Sequence, residues 1–252
     1  IALGGEDPHA VTRQADALSG LGAHGKAVEL YRQAIAMRPD FYTAWRGEGL
    51  ALLEMNKPSE AIEALDRAAK LKPGDPLTWT GIGDALVLLG KLEDAVGSYM
   101  RAAAVRAEHA PAWLGLGEAF LRARKFDEAA YAFDRAASID GTLARAWSGK
   151  AAALIKSGDD EGAAVAFGKA ASLAPGDFDT SLGLAGALYG AGRYSEAADA
   201  YDAAIKLSPA SPAAWYGRGA ALFATDNYAP ALEAFEKALS FDPGYAAAHN
   251  AR

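Results

Sequence analysis

The chain has 252 residues, of which 51% are hydrophobic and 23% are charged, a composition typical of a folded rather than a disordered protein. It contains no cysteine, which excludes disulfides, thiolate metal sites and cysteine catalysis. The formal net charge of −7 argues against nucleic acid as a partner, because phosphate binding depends on Lys and Arg.

Apolar residues recur at helical spacing along the chain, and glycine and proline divide it into short segments. Near the N-terminus, Gly22 is placed to end a helix and Pro58 to begin one. Residues 60–72 carry an apolar stripe on one helical face, and residues 79–90, WTGIGDALVLLG, form a further helix that Gly90 ends. The same signals return at Gly158, Gly192 and Pro212. The pattern predicts antiparallel helices of about a dozen residues each.

The motif Gly81-Ile82-Gly83 looks like the start of a dinucleotide-binding loop. That fingerprint needs a preceding strand and a third glycine three residues after the second. Leu86 occupies that place and no strand pattern precedes it, so we predict no nucleotide or other cofactor site here.

Several residue types recur with a period of about 34 residues. The tryptophans are Trp45, Trp79, Trp113, Trp147 and Trp215, with Ser181 at the skipped position. The prolines are Pro39, Pro73, Pro175, Pro209 and Pro243. A complete alanine series comprises Ala27, Ala61, Ala95, Ala129, Ala163, Ala197 and Ala231. A series of large side chains comprises Tyr31, Leu65, Tyr99, Phe133, Phe167, Tyr201 and Phe235. Such a period predicts a helical repeat protein.

At these residues the sequence resembles the tetratricopeptide repeat family, whose repeats have Trp at position 4, an aromatic residue at 24 and Pro at 32. The resemblance covers residues 8–245 when position 1 is set at Pro8. It implies an all-α fold, a right-handed α-solenoid (superhelix) of antiparallel helix pairs. The implied repeats are 8–41, 42–75, 76–109, 110–143, 144–177, 178–211 and 212–245, after a lead-in over 1–7 and before a truncated eighth repeat over 246–252.

Glycine recurs inside the first helix of every repeat after the first, where it costs about 1 kcal/mol relative to alanine. The glycines at position 6 are Gly47, Gly81, Gly115, Gly149, Gly183 and Gly217, and those at position 8 are Gly49, Gly83, Gly117 and Gly219. Position 8 is where the family packs its two helices closest. For position 6 two interpretations stand: close approach of neighbouring first helices, or a bare strip on the concave side along which a ligand backbone lies.

The chain offers no pattern typical of an enzyme. His9, His24, His109 and His249 show no metal-ligand spacing, and we expect them in surface or capping roles. No nucleophile elbow or Walker loop is present. We therefore predict no catalytic residue, no metal and no cofactor.

By the same resemblance, the concave surface presents positions 2, 5, 6, 9, 12 and 13 of the first helices to a protein or peptide partner. The candidate partner-binding residues are Thr80, Asp84, Leu114, Glu118, Leu121, Leu182, Tyr189, Tyr216 and Phe223. They predict an extended or helical ligand that is apolar with some basic character, although aromatic residues at position 12 could instead pack between helices. Family members that clamp acidic chaperone tails need Asn and Arg at position 6, so glycine there argues against a carboxylate clamp.

Two other functions stay open. The chain could assemble end to end through uncapped solenoid ends into rings or filaments, or it could be a regulatory module of a larger protein. Because it begins at Ile1 rather than Met, we expect a processed N-terminus or a fragment. A cytoplasmic location is the default expectation, with export or a cell-surface location open. No apolar run approaches the roughly 18 residues of a membrane-spanning helix.

Overall fold

A computed structural model of the chain describes residues 7–251, without the side chains of 249–251. Most of the predicted lead-in, residues 1–6, and Arg252 lie outside the described residues. The described part contains fifteen α-helices and no strand. They are α1 (Pro8–Gly20), α2 (His24–Met37), α3 (Tyr42–Glu54), α4 (Pro58–Leu71), α5 (Pro76–Leu88), α6 (Leu92–Val105), α7 (Ala110–Arg122), α8 (Phe126–Ile139), α9 (Ala144–Ser157), α10 (Asp160–Leu173), α11 (Phe178–Gly190), α12 (Tyr194–Leu207), α13 (Pro212–Ala224), α14 (Tyr228–Phe241) and α15 (Ala246–Ala251).

The helices form two compact units, Ile1–Arg124 and Lys125–Arg252. In the N-terminal unit, α1 packs on α2, α3 on α4 and α5 on α6, while the first helices α1, α3, α5 and α7 touch in succession. In the C-terminal unit, α9 packs on α10, α11 on α12 and α13 on α14, while α9, α11 and α13 touch in succession. The predicted all-α architecture of paired helices is confirmed, and the first helices begin at the residues predicted to open each repeat.

Every helix pair turns at the same position, where the backbone adopts a left-handed conformation. The glycines among these residues are Gly22, Gly90, Gly158 and Gly192, with φ between 73° and 89°. Asn56, Arg124 and Asp226 adopt φ of 56° to 61° at the equivalent positions. The sequence pattern marked only the glycines, because no rule of composition singles out an arginine for a conformation that costs it energy.

The repeated tryptophans hold five of the first helices to the loop that precedes each of them. Each indole Nε1 donates a hydrogen bond of 2.7 to 3.1 Å to a backbone carbonyl six residues earlier. The acceptors are the carbonyls of Pro39, Pro73, Ala107, Gly141 and Pro209. Since alanine and glycine serve as well as proline, the bond explains the tryptophan series but does not require proline at position 32.

The position-6 glycines face the large side chain at position 24 of the preceding helix pair. A Cβ added at Gly149 would lie 2.5 Å from Cε1 of Phe133, and one at Gly183 would lie 2.6 Å from Cζ of Phe167. Gly47, Gly115 and Gly217 face Tyr31, Tyr99 and Tyr201 in the same way. Close approach therefore accounts for these glycines, because a large buried side chain fills the place that a Cβ would take. The close approach is mainly to the preceding second helix rather than to a neighbouring first helix.

The position-8 glycines contact the same large side chains from the other side. An added Cβ would lie 2.5 Å from Cγ of Leu65 at Gly49, and 2.6 Å from Cε1 of Tyr99 at Gly83. Tyr99 thus lies between a glycine of its own pair and Gly115 of the next one, and Leu65 lies likewise between Gly49 and Gly81. The large side chains at position 24 are all buried, with at most 8% of their surface exposed. We call this arrangement the glycine–ring interlock.

We predict that Gly115→Ala lowers the midpoint of urea unfolding, measured by circular dichroism. Overpacking against a rigid tyrosine ring costs about 1–3 kcal/mol, which exceeds the roughly 1 kcal/mol that alanine gains in helix propensity. Gly81→Ala should be milder, because the nearest atoms there are the Leu50 and Leu65 methyl groups at 2.9 and 3.1 Å.

The matched control is Gly97→Ala in α6, where an added Cβ meets nothing within 4 Å. This change should raise the midpoint, since alanine favours the helix and nothing opposes it. A Gly115→Ala midpoint equal to or above that of Gly97→Ala would contradict the interlock.

Candidate partner-binding groove

The first helices of the N-terminal unit line a groove with a volume of about 960 Å³, which we call the α1–α7 groove. Its lining includes positions 2, 5, 6, 9, 12 and 13, as expected for a concave surface. The main lining residues are His9, Thr12, Arg13, Asp16, Thr43, Arg46, Leu50, Leu53, Glu54, Asp84, Val87, Leu88, Glu118 and Arg122.

The predicted candidates of this unit divide between groove and interior. Asp84 and Glu118 line the groove, whereas Leu114 and Leu121 are half-buried outside its lining. Thr80 is buried, and its Oγ1 donates to the Pro76 carbonyl at 2.9 Å. Thr80 is absent from the groove lining, which corrects that prediction, and its hydroxyl bonds to its own helix.

Two aromatic candidates of the C-terminal unit stay exposed while contacting another ring. Tyr189 and Tyr194 have ring centroids 5.2 Å apart, and those of Phe223 and Tyr228 are 5.3 Å apart. Tyr189 is 38% exposed and Phe223 is 55% exposed. Each ring contacts the second helix of its own pair. The aromatic residues at position 12 therefore pack against a neighbouring helix and also keep part of their surface exposed.

The remaining two candidates of this unit serve mainly in packing. Leu182 packs on the buried Ala204, Ile205 and Ala214. The Tyr216 ring lies 5.7 Å from that of Phe235 and 5.6 Å from that of Tyr245, measured between centroids. Removal of the Tyr216 ring would therefore disturb packing as well as any ligand contact.

Buried tyrosines support two of the carboxylates in the α1–α7 groove. The Tyr31 hydroxyl donates to Oδ1 of Asp16 at 2.6 Å, and the Tyr99 hydroxyl donates to Oδ1 of Asp84 at 2.7 Å. Burial, together with the neighbouring carboxylate, raises the pKa of both tyrosines, so both hydroxyls remain donors at neutral pH. Asp at position 9 combined with Tyr at position 24 is the sequence signal for this pairing, and the repeat period alone does not single it out.

Arg46 lines the groove, but its guanidinium is paired with Asp75, which lies outside the lining. Its Nη1 lies 3.3 Å from both carboxylate oxygens of Asp75. Asp75 also accepts a hydrogen bond from the Thr78 backbone at 3.1 Å, which caps α5. Burial alone would raise the Asp75 pKa, but the bonds from Thr78 and the charge of Arg46 outweigh it and lower the pKa. The carboxylate therefore stays charged and neutralises Arg46.

Two hydroxyls at the α1–α3 end of the groove have no hydrogen-bond partner. They are Oγ1 of Thr12 and Oγ1 of Thr43, and both residues belong to the lining. Only 5% of Thr12 is exposed. Buried polar groups are almost always hydrogen-bonded in native proteins, so these two oxygens are candidates for a bond to a ligand or water.

His109 is buried rather than on the exterior. It is 8% exposed, and its Nε2 is 3.1 Å from Oγ1 of Thr80. It occupies the residue before α7 but makes no side-chain cap bond, so the expected surface or capping role is wrong. Burial, with a smaller contribution from Arg106, lowers the His109 pKa, and nearby Asp75 opposes the shift.

Among the described residues, no group of three or more His, Asp or Glu side chains is arranged to hold a metal ion. Within residues 7–251, no helix has the length and apolar character needed to cross a membrane.

Consecutive antiparallel helix pairs with a groove on the first helices define a helical repeat protein. A model of the tetratricopeptide repeat family matches residues 12–76, 80–142 and 182–246, which together are more than half of the chain. The chain therefore belongs to the tetratricopeptide repeat family. Proteins of this family typically act as non-catalytic scaffolds that bind proteins or peptides, and this chain is an interaction scaffold in that general sense.

Solved structures show the same fold. YrrB, described as a tetratricopeptide repeat protein with an unusual peptide-binding site, is 22% identical with a TM-score of 0.71, covering 75% of this chain and 98% of its own. The C-terminal part of a repeat protein from Cytophaga hutchinsonii is 16% identical with a TM-score of 0.75, covering 95% and 98%. A repeat protein from Parabacteroides merdae is 18% identical with a TM-score of 0.64, covering 98% of each chain. A comparison with curated proteins finds no significant match.

We predict that His109 makes the stability of the chain fall in mildly acidic solution. Because its folded-state pKa lies below the usual value of about 6.5, the unfolded chain binds the extra proton first. The contribution of His109 is fully present above about pH 6.5 and is lost as the pH falls from there through the folded-state pKa.

The measurement compares urea-unfolding midpoints of the wild type and His109→Gln between neutral and mildly acidic pH. The variant should lose less stability over that interval than the wild type. Identical pH dependence in the two proteins would show that His109 titrates normally in the fold.

Proposed function

We propose that the chain is an interaction scaffold that binds a segment of a partner protein in the α1–α7 groove. The observation that carries this proposal is the groove itself, an open cavity of about 960 Å³ along four first helices. Ligand sites in proteins are concave and lie in this range of volume.

The lining of the groove supports a protein segment as the ligand. Leu50, Leu53 and Val87 supply a partly exposed apolar floor, and Arg13 and Glu54 are exposed charged residues beside it. An apolar centre with a polar rim is the usual anatomy of a protein interface. YrrB, which shares the fold, is itself described as having a peptide-binding site.

The groove chemistry disfavours an acidic tail as the ligand. Position 9, where a carboxylate clamp needs asparagine, carries Asp16, Leu50, Asp84 and Glu118 in this unit. Three of these four side chains are carboxylates, which would repel an acidic ligand. This supports the expectation that the chain is not a carboxylate clamp.

Exposed aromatic residues of the C-terminal unit are a second candidate contact for the partner. Phe223 is the best probe of it, because it is 55% exposed and its ring contacts only the edge of Tyr228 among the described aromatic rings. Aromatic side chains are enriched among residues that dominate binding energy. Phe223→Ala should therefore weaken partner binding without the packing defect expected at Tyr216.

We predict that Val87→Arg weakens binding of groove ligands by at least about tenfold, because it places a charged side chain on the apolar floor. The ligands are peptides selected from a displayed random library against the wild-type chain, then measured by fluorescence anisotropy. The matched control is Val165→Arg, since Val165 lies on α10 with 65% of its surface exposed and outside the groove.

Val165→Arg should bind the same peptides as the wild type does. Failure to enrich any peptide, or equal affinity of the wild type and Val87→Arg, would contradict the proposal. Light scattering of the same samples separates it from end-to-end assembly, which predicts a mass that grows with concentration in the absence of peptide.

A further inference from the structure

We infer that the ligand of the α1–α7 groove is an extended segment with two basic side chains about five or six residues apart, which pair with Asp16 and Asp84. This inference rests on the proposed function of the groove. It is carried by the support of the two carboxylates, by the charge balance of the lining and by the unpartnered threonine hydroxyls.

Asp16 and Asp84 are exposed on the groove surface yet fixed from below. Each accepts a hydrogen bond from a buried tyrosine hydroxyl, at 2.6 Å from Tyr31 and at 2.7 Å from Tyr99. A carboxylate can accept about four hydrogen bonds, so the tyrosine bond takes up only part of the accepting capacity of each carboxylate. Tyr31 and Tyr99 are positioning residues, since a carboxylate that is already oriented loses less freedom when it binds.

The charges of the groove favour a cationic ligand. Its lining contains four carboxylates, those of Asp16, Glu54, Asp84 and Glu118. It contains three arginines, but Arg46 is paired with Asp75, which lies outside the lining. The remaining balance is acidic, and basic side chains would complement it.

The threonines at the α1–α3 end favour an extended backbone. Oγ1 of Thr12 at position 5 and Oγ1 of Thr43 at position 2 have no partner, whereas the hydroxyl of Thr80, at position 5 like Thr12, bonds to Pro76. For Thr12 the missing bond is therefore not a property of the repeat position. An extended segment has free N–H and C=O groups to offer them, while a helix uses its own internally.

Helix packing sets the spacing of the two basic side chains. The first helices α1, α3 and α5 touch in succession, and packed helices lie about 8–10 Å apart. Asp16 and Asp84 are two helices apart, so they are separated by about 16–20 Å across the groove. An extended chain covers that distance in about five or six residues. Leu50 lies at the same repeat position between them and suits an apolar residue midway.

The test uses fluorescein-labelled synthetic peptides of about a dozen residues in a serine background, with leucine midway between two lysines that are about six residues apart. A second peptide has glutamate in place of both lysines, and a third has the lysines adjacent. The first should bind best, and the Asp16→Asn/Asp84→Asn double variant should lose about tenfold in affinity. Asp66→Asn is the matched control, because Asp66 is exposed on α4 outside the groove.

Tyr31→Phe/Tyr99→Phe tests the positioning role. It should weaken binding of the first peptide while the salt dependence of the affinity stays as in the wild type, because both carboxylates remain charged. If the affinity of Tyr31→Phe/Tyr99→Phe no longer depended on salt, the tyrosines would have a structural role only. The positioning role would then be wrong.

Equal binding of the lysine and glutamate peptides, or an unchanged affinity in the Asp16→Asn/Asp84→Asn variant, would overturn the inference. The library peptides distinguish this failure from that of the proposed function. If the library peptides bind, lose affinity in Val87→Arg and keep their affinity in Asp16→Asn/Asp84→Asn, the groove function stands and the basic ligand is wrong. If no peptide binds the groove, both fail.

Discussion

The glycine–ring interlock is the packing constraint on which the rest of this structure depends. A large side chain at position 24 fills the space that glycine leaves at position 6 of the next helix pair, as Phe133 does at Gly149. The offset is always sixteen residues, and three ion pairs use the same offset. They are Arg32 with Glu48, Lys150 with Asp134 and Arg218 with Asp202, at 2.5 to 2.6 Å. These partly exposed pairs add little energy, so the buried side chains set the register.

In the N-terminal unit the interlock also connects the fold with the groove. The Tyr99 ring is held between Gly83 and Gly115, while its hydroxyl donates to Asp84 on the groove surface. Likewise, the Tyr31 ring packs against Gly47, and its hydroxyl donates to Asp16. Where position 24 is leucine or phenylalanine, the ring or methyl groups can fill the gap but no hydroxyl reaches position 9. The choice between Tyr and Phe at a buried position therefore changes the chemistry of an exposed one.

The sequence was sufficient for the fold, because a period identifies equivalent positions even when their contacts are unknown. Helix starts, glycine turns and the helical pairing followed from it. The period does not show which helix faces contact one another. The position-6 glycines therefore suggested an open strip, although Tyr99 and the equivalent side chains of other pairs lie beside them. Thr80 was misplaced for a related reason, since the period does not reveal that its hydroxyl contacts His109 at the next repeat boundary. Candidate residues of the groove could be named by position, but their pairing with buried tyrosines required the structure.

A double-mutant cycle between Tyr99→Leu and Gly115→Ala tests the interlock most directly. Leu65 already shows that leucine at position 24 leaves more room for the next glycine, where an added Cβ would lie 3.1 Å from its nearest methyl group. Tyr99→Leu should therefore relieve the overlap that Gly115→Ala creates. The account predicts that the double variant unfolds with a coupling free energy of at least about 1 kcal/mol in favour of stability. Strict additivity of the two changes would contradict it.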